Sequence, residues 1–234
     1  MPWQLTYRQF SPTATIPLVL GLAALLMNPA VGVQAQPTVT DNPVVQGSAV
    51  WGSRRSAAQN FVNRGMHKSS QGDVKGALVD YNQAIGLDPK YATAYIRRGV
   101  ILYSLGDKLR ALVDYNQAIG LDPKDARAYY NRGLARYELG DRLKAMADLN
   151  KAVQLAPKDA LAYYCRGFVR QKVGDRLGAI LDINQAIQLK PSYPDAYDLR
   201  GDIRAELGDQ LGATRDYQKA TELRQELGAV RPDL

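Results

Sequence analysis

Cysteine and histidine are almost missing from this chain, whose 234 residues include one of each, Cys165 and His67. An internal disulfide framework is therefore excluded. A zinc site draws several Cys or His ligands at fixed spacings, and no such set exists. Cys–His nucleophilic catalysis needs the two side chains to meet, and here they fall in distant stretches of the chain. His67 reads as a surface residue and Cys165 as a small groove or core residue. Blocks of like charge are lacking too. The net charge of +7 comes from 30 Lys and Arg against 23 Asp and Glu, spread along the chain. No run of five or six like charges marks a nucleic-acid arm. No cofactor or metal site is expected.

Long apolar runs are also scarce. The exception, Ile16 to Met27, is broken by Pro17 and bounded by Asn28 and Pro29. It falls short of the roughly 20 residues a spanning helix needs. Arg8 is the only charged residue before position 36, and small residues, Val33 and Ala35, close the segment. A basic start, a short apolar stretch and a small-x-small exit make a secretory signal over 1–35, cleaved after Ala35. The expected location is a periplasm, a thylakoid lumen or the medium, with an uncleaved membrane anchor as the alternative. Residues 36–56 carry Pro37, Pro43, Gly47 and Gly52, which interrupt regular structure, so this stretch reads as a flexible linker.

What is present in abundance is repetition. Written from Ala58 in rows of 34, the chain aligns with itself five times, over 58–91, 92–125, 126–159, 160–193 and 194–227. Column 4 is aromatic: Phe61, Tyr95, Tyr129, Tyr163, Tyr197. Column 8 is Gly65, Gly99, Gly133, Gly167, Gly201, and columns 20 and 27 are alanine throughout. Column 32 is Pro89, Pro123, Pro157 and Pro191, lost only in the last row. Gly-Asp pairs such as Gly106-Asp107 split each row into two helix-length segments. Glycine takes the left-handed cap that ends the first helix, and aspartate caps the second. Proline then stops that helix from running on. A mid-helix glycine costs about 1 kcal/mol against alanine, so column 8 predicts a close helix approach, glycine facing the column-20 alanine.

These columns together resemble the tetratricopeptide repeat (TPR). The rows' wording, DYNQAIGLDPK followed by AYxxRG, is similar to exported TPR proteins of photosynthetic bacteria. The resemblance implies an all-α, right-handed α-solenoid of five helical hairpins over 57–230, behind the signal segment and linker. It also implies a concave groove lined by the first helix of each hairpin. Polar residues at the edge rows, Lys68 and Thr221, read as solvating caps.

One pattern is additional. Column 7 is arginine and column 23 aspartate in every row, for instance Arg132 and Asp148. An Arg–Asp ladder within or between hairpins is expected, with independent solvated charges as the alternative.

The groove columns point to Arg97, Tyr103, Arg127, Tyr130, Asn131, Tyr137, Tyr164 and Phe168, an aromatic strip with basic flanks. Such side chains supply contact area with few rotamers to freeze. For Tyr130 and Tyr164, packing between helices is the competing reading. In the last row the groove columns carry Asp198 and Asp202, which share one helical face with Asp195 and Glu206; this acidic face reads as solvated, with a basic segment of the partner or a divalent cation as the alternatives. The family's chaperone-type carboxylate clamp is absent, because its positions hold Val62 and Met66. The expected function is a non-enzymatic scaffold or assembly factor binding a protein or peptide. Nucleic acid and small-molecule substrates are not expected, and membrane contact only through an uncleaved N-terminus. The alternative is a structural protein of the cell envelope that self-associates through its end hairpins or the Trp51 linker.

Overall fold

The computed structural model describes the backbone of residues 43–229 and the side chains of 53–226. The signal segment and its cleavage point lie outside the described residues. The chain divides into two compact units, Met1–Val50 and Trp51–Leu234; the array described below belongs to the second.

Ten helices and no strands appear among the described residues: α1 (Pro43–Ser70), α2 (Val74–Leu87), α3 (Ala92–Ser104), α4 (Lys108–Leu121), α5 (Ala126–Glu138), α6 (Arg142–Leu155), α7 (Ala160–Lys172), α8 (Arg176–Leu189), α9 (Pro194–Glu206) and α10 (Gln210–Ala229). They pair in sequence into five hairpins that stack as an α-solenoid. The expectation of a flexible linker up to residue 56 is corrected, since α1 already begins at Pro43. Proline suits the first helical turn, where its missing N–H is not needed. Arg55 then ties the helix to the array, its Nη1 2.5 Å from Asp88 Oδ2 and its guanidinium 4.3 Å from the Tyr91 ring centre.

The hairpin turns follow from Gly-Asp. Gly106 has φ 85°, and its N–H donates to the Tyr103 carbonyl while Asp107 N–H donates to that of Leu102. That double bond pattern closes α3 as a Schellman cap. The Asp107 carboxylate then accepts from Arg110 N–H at 3.0 Å and starts α4. The other four turns repeat the positive-φ glycine and the capping aspartate.

Within a hairpin the column-8 glycine meets a different neighbour from the one expected. A Cβ on Gly99 would sit 2.6 Å from Tyr115 Cε1. The corresponding positions meet Tyr81, Leu149, Ile183 and Tyr217. Column 24, rather than column 20, presses most closely on the glycine; at Gly133 the alanine contributes too, through the Ala145 carbonyl at 3.2 Å. The space a side chain would take is occupied by a ring or branched chain.

The Arg–Asp ladder is present in all five hairpins, and each rung is internal to its hairpin. Arg132 Nε and Nη2 donate to the two oxygens of Asp148 at 2.9 and 2.7 Å, a bidentate pair. Arg64–Asp80, Arg98–Asp114, Arg166–Asp182 and Arg200–Asp216 repeat it. The five aspartates are 0–4% exposed. A second cation reaches the same carboxylate from column 11: Lys68, Arg136, Arg170 and Arg204. Lys68 is therefore a ladder member and not an edge cap; the exception is Leu102 in hairpin two. The remaining arginine nitrogen reaches the preceding hairpin, as Arg132 Nη1 does to Asn116 Oδ1 at 2.8 Å. The guanidinium also lies over the column-4 ring, 5.5 Å from that of Tyr129.

Both end faces of the stack are polar. Where rows two to five bury Ala94, Ala128, Ala162 and Ala196, α1 exposes Asn60; where they bury Ile101 or Val169, it exposes His67. At the other end Thr214 and Thr221 are exposed and bond back to carbonyls four residues earlier.

Gly99→Ala should lower the denaturation midpoint despite better helix propensity. The Tyr115 ring is 1% exposed and has nowhere to move, and overpacking costs about 1–3 kcal/mol. For the ladder, Asp148→Ala should destabilise by about 1–3 kcal/mol, since it leaves the half-buried Arg132 and Arg136 without their shared carboxylate. Combined with Arg132→Ala, it should show coupling of about 0.5–3 kcal/mol; zero coupling in urea titrations would dissolve the ladder as an interaction. Asp80 is held below the ordinary carboxylate range, chiefly by the hydrogen bond from Arg64 and against the effect of burial. A carboxyl lowered on folding adds stability that is complete above about pH 4 and is lost as pH falls through the lowered value. Asp80→Asn should therefore flatten the acid limb of a circular-dichroism titration.

Candidate protein-binding groove

The first helices form a wall of their own. Helix α3 touches α5, α5 touches α7 and α7 touches α9, whereas no two second helices touch among the described residues. A layer whose members meet directly is the closely spaced side of the stack, and its free face is the candidate groove.

The structure divides the expected groove residues into two sets. Tyr103, Tyr137 and Phe168 are half-buried, on α3, α5 and α7 respectively. They lie in columns 9 and 12, and the Lys172 ammonium stands 5.4 Å from the Phe168 ring centre. Tyr130 and Tyr164 are 6% and 8% exposed and belong to the core. The competing packing reading is the one realised for both. Column 5 points between successive first helices, so Tyr164 rests on Tyr193, with ring centres 5.1 Å apart. Burial raises the hydroxyls of Tyr103, Tyr130 and Tyr164 above the ordinary tyrosine value.

Column 6 likewise lies deeper than a groove edge. Asn131 is buried and donates to the Arg127 carbonyl at 2.8 Å. Cys165 in the same column is buried, and burial pushes its thiol up. Arg97 is half-buried, with Nε shielded from water and no acceptor near it. Arg127 is committed: its Nε and Nη2 reach Asp125 at 2.9 and 2.6 Å. The cap acid Asp125 is thereby held below the usual carboxylate range, against burial.

The acidic face of α9 is corrected from a solvated face to a braced one. Arg224, from α10, pairs with Asp195 and Asp198. Asp202 accepts the Tyr217 hydroxyl at 2.9 Å, and that tyrosine is pushed up to about 12, first by burial and then by the hydrogen bond. Glu206 is held by Arg176 at 2.6 Å and by the Gln171 amide at 2.7 Å, with its carboxyl lowered. The spacing along α9 announced the acids, but their partners sit on other helices, which spacing does not reveal.

A family model described as TPR repeat matches residues 69–106, 101–140 and 136–174. Among solved structures, the crystal structure of MamA is 27% identical with TM-score 0.56, over 70% of this chain and 96% of its own. A thermophilic TPR protein of Thermus thermophilus is 21% identical with TM-score 0.66, over 74% of this chain and 98% of its own. YrrB, described as a TPR protein with an unusual peptide-binding site, is 22% identical with TM-score 0.51, over 76% and 92%. The last two speak to the fold alone. No curated protein matches the chain.

Buried, with its thiolate disfavoured, Cys165 should resist a thiol reagent in the native protein and react fully in denaturant. Rapid native labelling followed by absorbance would mean that the α7 packing is wrong.

Proposed function

We propose that this chain, a tetratricopeptide-repeat protein, holds an extended segment of a partner protein against the wall of its first helices. The observation that carries this reading is the half-buried row Tyr103, Tyr137 and Phe168 on three successive hairpins. Rigid aromatics anchored at the base and open at the edge are the side chains that concentrate binding energy. Arg97 lies toward one end of the row, and at the other Asp198 and Asp202 are already engaged by Arg224 and the Tyr217 hydroxyl. Binding rather than catalysis fits the fate of the acids, which are spent on caps and ion pairs rather than facing a base across a pocket.

The capture is placed outside the cytoplasm, on the strength of the apolar Ile16–Met27 segment and the small residues before Gln36. No helix among the described residues is long and apolar enough to cross a membrane.

Proximity capture in the native host, with Tyr137→Ala plus Phe168→Ala as the comparison, tests the reading. Anchors of this kind are worth about 2 kcal/mol or more each, so the partner's recovery should drop at least ten-fold. Equal recovery by both proteins would move the binding surface elsewhere. Tyr164→Ala does not serve as a groove variant, because it opens a cavity in the core.

A further inference from the structure

An arginine without a counter-charge stands on the groove wall. Nine arginines among the described residues are half-buried, and eight of them have a carboxylate oxygen at 2.6–2.9 Å. Arg97 is the ninth. It makes no hydrogen bond or ion pair among the described residues, and its Nε is shielded from water. A cation drawn partly out of water needs an opposite charge to offset the hydration it loses.

The chain's own acids do not meet this need. Asp125, just before α5, feels Arg97 but is already filled: Arg127 Nε and Nη2 take its two oxygens, and the Arg127 N–H donates to Oδ1 at 2.9 Å. Burial opposes it, yet Arg127 and, more weakly, Arg97 hold that carboxyl below the usual range. Two guanidiniums thus share one carboxylate, and the corner between α3 and α5 is one negative charge short. Helices α3, α5 and α7 carry a single acid, Glu138, and Lys108 holds it at 2.9 Å. The acids of α9 lie three hairpins on from Arg97 and are engaged there. At the other end of the aromatic row the exposed Lys172 adds a second cation beside Phe168.

We propose that the segment held in this groove is acidic, with an Asp or Glu side chain seated on Arg97 and apolar side chains on Tyr103, Tyr137 and Phe168. The proposal rests on the groove reading above and adds the partner's chemistry to it. A carboxylate on the open side of Arg97 balances the pair of guanidiniums with a pair of acids, and a forked guanidinium can hold it by two hydrogen bonds. A side chain suits the position better than a chain end: Met66 is 39% exposed in a groove column of hairpin one, so the wall continues past Arg97 and a bound chain can continue with it. Packed helices lie about 8–10 Å apart. Two such steps separate α3 from α7, and an extended chain rising about 3.3 Å per residue covers them in about five to six residues. The acid is therefore set about that far from the apolar residue that meets Phe168.

Selection from a displayed library of random twelve-residue peptides tests this, with the full chain, its Arg97→Gln variant and its Tyr137→Ala plus Phe168→Ala variant as parallel baits. Arg97 has no partner to lose, so Arg97→Gln should leave helical circular dichroism and the unfolding midpoint unchanged. The expected peptides place an Asp or Glu five or six residues from an aromatic or aliphatic side chain. Selected on Arg97→Gln, they should lose the acid and keep the apolar residue. In fluorescence anisotropy the tightest peptide should bind at least five-fold better than its copy with Asn or Gln for the acid. That gap should close on Arg97→Gln, persist on Arg97→Lys and narrow as salt screens the charges. Apolar peptides with no acid, or an acid preference that survives Arg97→Gln, would overturn the proposal and leave the groove reading standing. An affinity that depends on the peptide's terminal carboxylate instead of its acid would overturn the side-chain assignment. Peptides indifferent to Tyr137→Ala plus Phe168→Ala, or no binders at all, would remove both readings.

Discussion

Each hairpin is closed around one carboxylate that water does not reach. A buried aspartate is costly unless its charge and its lone pairs are met, and here both oxygens accept from a forked guanidinium on the facing helix. In four hairpins a second cation, one turn further along, joins them. Apolar packing alone tolerates sliding; a bidentate pair has one geometry. The ladder thus fixes how far each helix is advanced along its partner. The glycine beside each arginine then lets the column-24 side chain sit against bare backbone.

That arrangement shares out the faces of every first helix. Columns 7 and 11 turn to the partner helix and its aspartate. Columns 3 and 10 turn to the preceding hairpin, where alanine, isoleucine and valine are fully enclosed. Column 5 lies between successive first helices. Columns 9 and 12 are what remains, and they carry Tyr103, Tyr137 and Phe168. The groove is therefore what three packing demands leave over, and in its own columns Leu134 and Gln171 are drawn into the stack as well.

Much of this was legible in the sequence, and the reasons differ by element. The hairpin count, the turns and the rungs follow from residues that recur every 34 positions, because each has the same local task in each row. The partner of the column-8 glycine was misjudged by one turn, since a helical side chain leans towards its N-terminus and covers the turn before its own Cα. Tyr130 and Tyr164 looked like groove residues because an aromatic side chain suits a core and a binding face equally. The helix through Pro43 was hidden by its glycines and proline, and the contacts of Arg55 that offset them are with Asp88 and Tyr91, outside that stretch. The brace on α9 depends on Arg224, which no periodicity in α9 can announce.

The ladder of hairpin two differs from that of the other four: Leu102 stands where they place a lysine or arginine, so Asp114 has its ion pair with Arg98 and no second cation from column 11. In a stack where each unit leans only on those beside it, resistance to a pull is local. Tension applied through the ends is carried in series by every hairpin alike, and a series gives way at its softest member. What each hairpin withstands is set by its own rung and core, and a change at one rung is felt first by the hairpins beside it.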